Sequence, residues 1–318
     1  MAGPVHAPVC LSAFPPFLYF LVLISVLFFS FSFSFSGLAV FAGPAWGMDP
    51  RNPGSGNLGL TLMGGYNASY LDYTEEQNGS TLDRDYGYLN SAHIQARLEN
   101  KTVWTRLTAD YYWTYNASYD GAIQNLEGQL TAYKASTHEK IYQYEGDFGI
   151  KAMNASTSTL TPYLGIGYRI WWRGADALPD YIEKYTWYFA AAGFNYIWRI
   201  NRLTAGLDAA LHIPFDMQMK TNVAGLFDQM DFTLKKRVGF GVQLPFTYDI
   251  YNNHAKPVRI FVYLTPYYQF WPVGGSGSIA MTKNGIPVFD KNGNPVLAHE
   301  PDSRTGIYGG DAGLGVNF

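Results

Sequence analysis

A chain of 318 residues with 17% aromatic side chains, 33 glycines and a mean hydropathy of -0.10 is too polar for a helical membrane protein, and it carries more Tyr (25) and Phe (21) than a soluble enzyme of its size. A formal charge of -3 supplies no basic footprint and argues against nucleic acid as a partner. The one cysteine is Cys10, near the amino terminus, so a chain trimmed of its leader has no disulfide, no thiolate metal site and no cysteine nucleophile.

Residues 1–45 read as an export signal. Phe17 to Phe31 is a continuous apolar stretch, and Val40-Phe41-Ala42 or Gly43-Pro44-Ala45 offers the small residues of a cleavage site. No Lys or Arg precedes Arg51, so the basic start of such a signal is missing, and a retained anchor is the alternative. The remaining segment, 46–318, reads as one domain.

From residue 58 onward the chain alternates apolar and polar residues with the period of two that belongs to β-strands. Leu58, Leu60, Leu62, Tyr66 and Ala68 share one face of 58–68. In 86–99, Tyr88, Ala92, Ile94 and Leu98 oppose His93, Arg97 and Glu99; in 103–115, Leu107, Ala109 and Tyr111 oppose Arg106, Asp110 and Tyr112. Stretches 140–152 and 159–173 set Tyr142, Phe148, Leu164 and Ile166 against Glu145, Asp147, Lys151 and Arg169. The segment 184–198 is apolar on both faces and its register is ambiguous. In 202–215, Leu207, Leu211 and Ile213 oppose Asp208 and His212. In 232–248, Phe232, Leu234 and Phe240 are expected to oppose Lys235 and Arg237, and in 258–271, Val262 and Leu264 oppose Arg259 and Tyr263. The last alternation puts Tyr308, Leu314, Val316 and Phe318 opposite Gly309, Asp311, Gly313 and Gly315.

About ten strands of this length, with hardly any Lys or Glu on the apolar face, predict an all-β fold: a transmembrane antiparallel up-and-down β-barrel. Connections are expected to alternate, short near 100–101, 154–158, 199–201 and 252–256, and long at 69–84, 116–138, 174–183, 216–230 and 273–303. That pattern puts both chain ends at the short-turn rim. Trp104, Trp113, Trp172, Trp187, Trp198, Tyr248 and Trp271 fall near strand ends and are expected at the lipid headgroups. The terminal alternation ending in Phe318 resembles the assembly signal of small Gram-negative outer-membrane β-barrel proteins. The stretch LTPYLGIGYRIWW, 160–172, is similar to a strand of such barrels that brings no known activity. The resemblance implies the cell outer membrane as location, outer-membrane lipid and the barrel assembly machinery as partners, and no cofactor.

The inward faces gather Arg97, Arg106, Asp110, Glu145, Asp147, Lys151, Arg169, Asp208, His212, Arg237, Arg259 and Asp311. Opposite charges withdrawn from water persist when paired, so a lumen filled by ion pairs is expected, with a structural or surface-interaction role. The alternative is a water-lined channel for small solutes. STLDRDYGY, 80–88, is weakly similar to a segment of the omptin proteases, which act through paired Asp residues and an Asp-x-His couple. Here Asp83 and Asp85 are present, but Asp208 and His212 are four apart, roughly 13 Å along a strand, so no enzyme is expected. In the 273–303 connection KNGIPVF and KNGNPVL form a tandem repeat with Asn-Gly turns, expected as a hairpin above the membrane. Asp290, Asn292 and Asn294 have the spacing of a calcium loop, but Pro295 stands where glycine is needed, so no metal is expected.

Overall fold

The computed structural model describes residues 58–77, 79–124, 130–175, 178–223, 227–253 and 258–318, so the expected signal, 1–45, lies outside the described residues. The alternating stretches form strands β1 (Gly59–Gln77), β2 (Ser80–Glu99), β3 (Val103–Gln124), β4 (Leu130–Ile150), β5 (Ser158–Ala175), β6 (Leu178–Ile200), β7 (Leu203–Val223), β9 (Val258–Ser276) and β10 (Asp302–Asn317). Strand β8 comes in three pieces, Met230–Lys236, Gly239–Gln243 and Phe246–Asn253, which occupy one position between β7 and β9. Each neighbouring pair is antiparallel, and β10 returns to β1 from Asn317 opposite Thr61 to Asp302 opposite Glu76. The result is a closed ring of ten staves with no free sheet edge, the strand arrangement that satisfies every backbone group in lipid.

Below a belt of aromatic rings the outer surface is apolar. Leu62 (45% exposed), Ile94 (57%), Leu164 (69%), Leu211 (54%) and Leu314 (57%) face outward there. The belt runs from strand to strand through directly opposed side chains: Tyr308, Tyr70 and Tyr88 on β10, β1 and β2; Tyr111 and Tyr142 on β3 and β4; Tyr168, Tyr188 and Phe215 on β5, β6 and β7; Tyr268 back to Tyr308. From Leu60 to Tyr70 a tilted strand rises about 25 Å, the height of the apolar band of a membrane barrel. Above the belt the outer surface carries ion pairs such as Arg84–Asp72 and Lys220–Asp231.

Three expectations change. The long connections at 69–84, 116–138, 174–183 and 216–230 are mostly strand, because the staves continue well past the belt. Alternation persists there with its faces exchanged: on β1, Tyr66 and Tyr70 face out, whereas Leu71 and Tyr73, both 0% exposed, face in. On β7 a bulge makes the exchange: Phe215 lies opposite Tyr188, Gln218 opposite Thr186, and Asp216 takes a positive φ of 52°. Second, the first piece of β8 turns Phe232 and Leu234 inward, so Lys235 and Arg237 are exposed, and Arg237 is corrected from the lumen to the outer surface, where it pairs with Asp302. Third, Trp104, Trp187 and Trp271 are inside the barrel, not in the girdle; Trp198 and Tyr248 do face outward.

The connection from 277 to 301 stays long. It folds as a double hairpin, with Ile279–Ala280 paired to Leu297–Ala298 and Thr282–Lys283 to Ile286–Pro287, turning at Asn284-Gly285, both with positive φ. Asp290 accepts the backbone N–H groups of Asn292 and Asn294 at 2.8 Å each, so its carboxylate closes a turn. Ile279, Met281 and Ala298 pack down onto the side chains that fill the outer half of the barrel.

Candidate functional site

The interior is stratified. At the rim where β1 starts and β10 ends, Glu99 accepts Arg97 and Lys151 at 2.9 Å each, Arg259 lies 2.6 Å from Asp249, and Arg199 donates to the Thr159 hydroxyl at 3.2 Å. One level deeper Arg106 is gripped by Asp147 (2.7 Å) and Asp208 (2.6 Å). Tyr163 and Asn195 also donate to Asp208, and the guanidinium lies over the Trp104 and Tyr163 rings. Gly165 is what admits this grip: a methyl group there would overlap the Asp147 carboxylate. Beside it His93 meets Asp110 at 2.7 Å and Asp311 at 3.8 Å.

Arg169, fully buried, has no carboxylate partner among the described residues. It donates to Gln143 (2.5 Å) and Gln269 (3.4 Å) and lies over the rings of Trp187 and Trp271. His212 stacks on Trp271 at 4.7 Å, with Glu145 3.9 Å away. Above this level the lumen is filled by apolar packing: Leu71, Ile141, Trp171, Phe189, Met217 and Ile307 are each under 2% exposed.

Over that plug sits a cluster of which the sequence singled out only Asp83 and Asp85. Arg173 binds Asp85, Glu183 (2.8 Å) and Glu75 (3.2 Å) and lies 4.0 Å from the Tyr73 ring centroid. Glu139 accepts the Trp171 indole at 2.6 Å, Asp83 the Tyr119 hydroxyl at 3.1 Å, and Glu300, from the hairpin connection, the Tyr185 hydroxyl at 2.6 Å. Six buried carboxylates thus surround one arginine. Burial first, and Glu183 next, push the Glu300 carboxyl up to about 8. Arg173 was findable, since it repeats the inward phase of Arg169 four residues on; its partners lay in or beside the expected loops.

Of the expected network the structure joins Arg106 to Asp147 and Asp208, and it gives Arg97, Lys151, Arg259, Asp110 and Asp311 other partners. Glu145 and His212 approach each other, Arg169 is held by amides and indoles, and Arg237 is outside. Tyr308 (49% exposed), Leu314 (57%) and Phe318 (51%) face outward, as the terminal alternation requires, with Val316 partly covered on the same face. Both neighbouring strands set the glycines opposite them: a methyl group at Gly313 would overlap the β1 backbone at Gly64, and one at Gly315 would overlap the Phe261 ring on β9. Asp83 and Asp85 are held in the outer cluster, Asp208 belongs to Arg106, and His212 Nδ1 has no hydrogen-bond partner among the described residues. The structure does not assemble those four groups into one hydrogen-bonded set. Nor do the described residues hold a group of three or more His, Cys, Asp or Glu side chains able to bind a metal.

A closed ten-stave ring with an apolar outer band and a polar, packed interior is a membrane-spanning β-barrel of the outer-membrane type. The chain is similar in structure to the outer membrane protease OmpT from Escherichia coli, with TM-score 0.54 and 11% identity over 83% of this chain and 98% of that one, a likeness of fold. It also aligns with the translocator domain of the autotransporter NalP from Neisseria meningitidis (TM-score 0.40, 8% identity, 84% and 90% covered). A further alignment is with Neisserial surface protein A (0.32, 14%, 82% and 97%). No protein-family model matches the chain, and no curated protein matches it in sequence.

Proposed function

We propose that this protein resides in the cell outer membrane as a closed barrel with a structural or surface-interaction role, residues 1–45 serving as its export signal. The observation that carries the reading is the apolar plug: above Arg169, side chains from around the ring interdigitate, and a packed interior of this kind leaves no water path. The double hairpin then faces the cell exterior and presents Ile286 (68% exposed), Phe289 (56%) and Leu297 (56%) to an external ligand. In the same reading Tyr308, Leu314, Val316 and Phe318 form the segment recognised during assembly, and deleting Phe318 lowers the folded yield in membranes. Purified protein in planar bilayers should give no conductance steps; steady single-channel current would replace this reading with the small-solute channel.

A further inference from the structure

The plug closes one end of the lumen, and the other end, at the rim where β1 starts and β10 ends, encloses a cavity of about 150 Å³. Arg97, Arg199 and Arg259 line it from three strands, together with Gln95, Asn195 and Gln243. Among the described residues at this level four cations, these arginines and Lys151, share two side-chain carboxylates. Glu99 is taken by Arg97 and Lys151, and Asp249 by Arg259, while Arg199 has a hydroxyl as its partner. The Arg97 Nε is buried without a hydrogen-bond acceptor among the described residues. Arg97, Thr61, Asn317 and Arg259 stand side by side on one row across β2, β1, β10 and β9, and Asn317 donates to Thr61 at 2.6 Å, so this part of the wall is held in place.

We propose that this vestibule binds a small oxyanion, inorganic phosphate or a short carboxylate, between Arg97, Arg199 and Arg259. Guanidinium groups with donors to spare meet such oxygens through paired, charge-assisted hydrogen bonds, and Arg is preferred over Lys for that geometry. The cavity has room for several waters at roughly 30 Å³ each, which matches an anion of a few heavy atoms. Asp110, Asp208 and Asp311 line the inner part of the same cavity, where each is already held by His93 or Arg106. Among the described side chains at the rim, the carboxylates of Glu99 and Asp249 already hold cations.

The test is titration calorimetry on the full detergent-solubilised protein at low salt, with inorganic phosphate and separately with acetate. Saturable one-to-one binding of at least one of them is expected. Arg199→Gln should weaken it tenfold or more, Arg199→Lys by less, and Arg259→Gln repeats the loss from the opposite wall. Arg237→Gln, on the outer surface, should bind as the natural sequence does. Heat-dependent gel mobility establishes that each variant is folded. Absence of saturable binding to either anion overturns the proposal, as does Arg199→Gln binding unchanged or Arg237→Gln losing as much.

Discussion

The halves of the barrel on either side of the aromatic belt use the same strands in opposite senses. Below it Leu62, Ile94 and Leu314 face out and Arg106, Asp147 and Asp208 face in; above it Asp72, Arg84 and Lys220 face out and Leu71, Tyr73 and Trp171 face in. Strand geometry is common to both, so the solvent decides which face must be apolar: lipid demands a greasy exterior, water a greasy interior. The polar minority is treated differently too. In the lower half Arg106 has two carboxylates to itself; in the outer half one Arg173 serves six. A carboxylate cluster so poor in cations depends on its arginine and on bound protons, whereas the lower network is nearer balance.

The severest way to break the contrast is to remove Arg173. Arg173→Met should cost about 3–5 kcal/mol, because buried carboxylates lose the arginine that pairs with them, and it should do so in the half that lipid does not support. Guanidinium unfolding in detergent measures it, and a cost below that of Arg106→Met would mean the two clusters do not differ. Next comes the plug. Trp271→Ala removes a ring that packs on Trp187, Phe189 and His212, and an unfilled space of that size costs about 3 kcal/mol; bilayer recordings of the variant should show current leaks that the natural sequence lacks.

A smaller effect sharpens the comparison through pH. With its folded value near 8 and an unfolded value of about 4.3, Glu300 holds its proton more tightly in the folded state. Its stabilising contribution is complete below the unfolded value, declines as pH rises between the two, and is gone above about 8. Glu300→Gln should therefore flatten the fall of the unfolding midpoint between pH 5 and pH 9. An unchanged slope would put the titration elsewhere in the cluster. Least of all, Arg84→Ala on the outer surface breaks a pair with two contacts to Asp72, at 2.8 and 2.9 Å, yet should shift stability by less than about 1 kcal/mol, since water already screens it. A shift comparable with Trp271→Ala would show that the exterior above the belt is not ordinary solvated surface.

Strand number, pairing order and the outward face were legible below the belt because one solvent rule holds there: Leu58 to Ala68 and Tyr308 to Phe318 alternate without interruption. Above it the same reading failed. Phe232 and Leu234 look like Phe240 in sequence, yet they face the other way, since the break between Lys236 and Gly239 falls where the surroundings change from water to lipid. Trp187 and Trp271 were hidden for a related reason: position near a strand end says nothing about which face a ring takes. In the lumen, the inward arginines could be counted but not matched, because Arg106 reaches Asp208 across 102 residues of sequence and Arg97 turns to Glu99, two residues away on its own strand. Pairing across a lumen depends on strand tilt and side-chain reach, which an alternation pattern does not encode.

The seam between β1 and β10 has a consequence for how the molecule comes to exist. Sixteen residue pairs join strands at opposite ends of the sequence, down to Phe318, whose N–H donates to the Leu60 carbonyl at 2.8 Å. Until those last residues are available, the amide groups along β1 have no permanent neighbour on that side, so the cylinder cannot be completed stepwise from its beginning. Contacts so distant in sequence form slowly. During that interval the unsealed edge and the greasy exterior are exposed together, and an escort that covers both would govern how much protein reaches the bilayer intact.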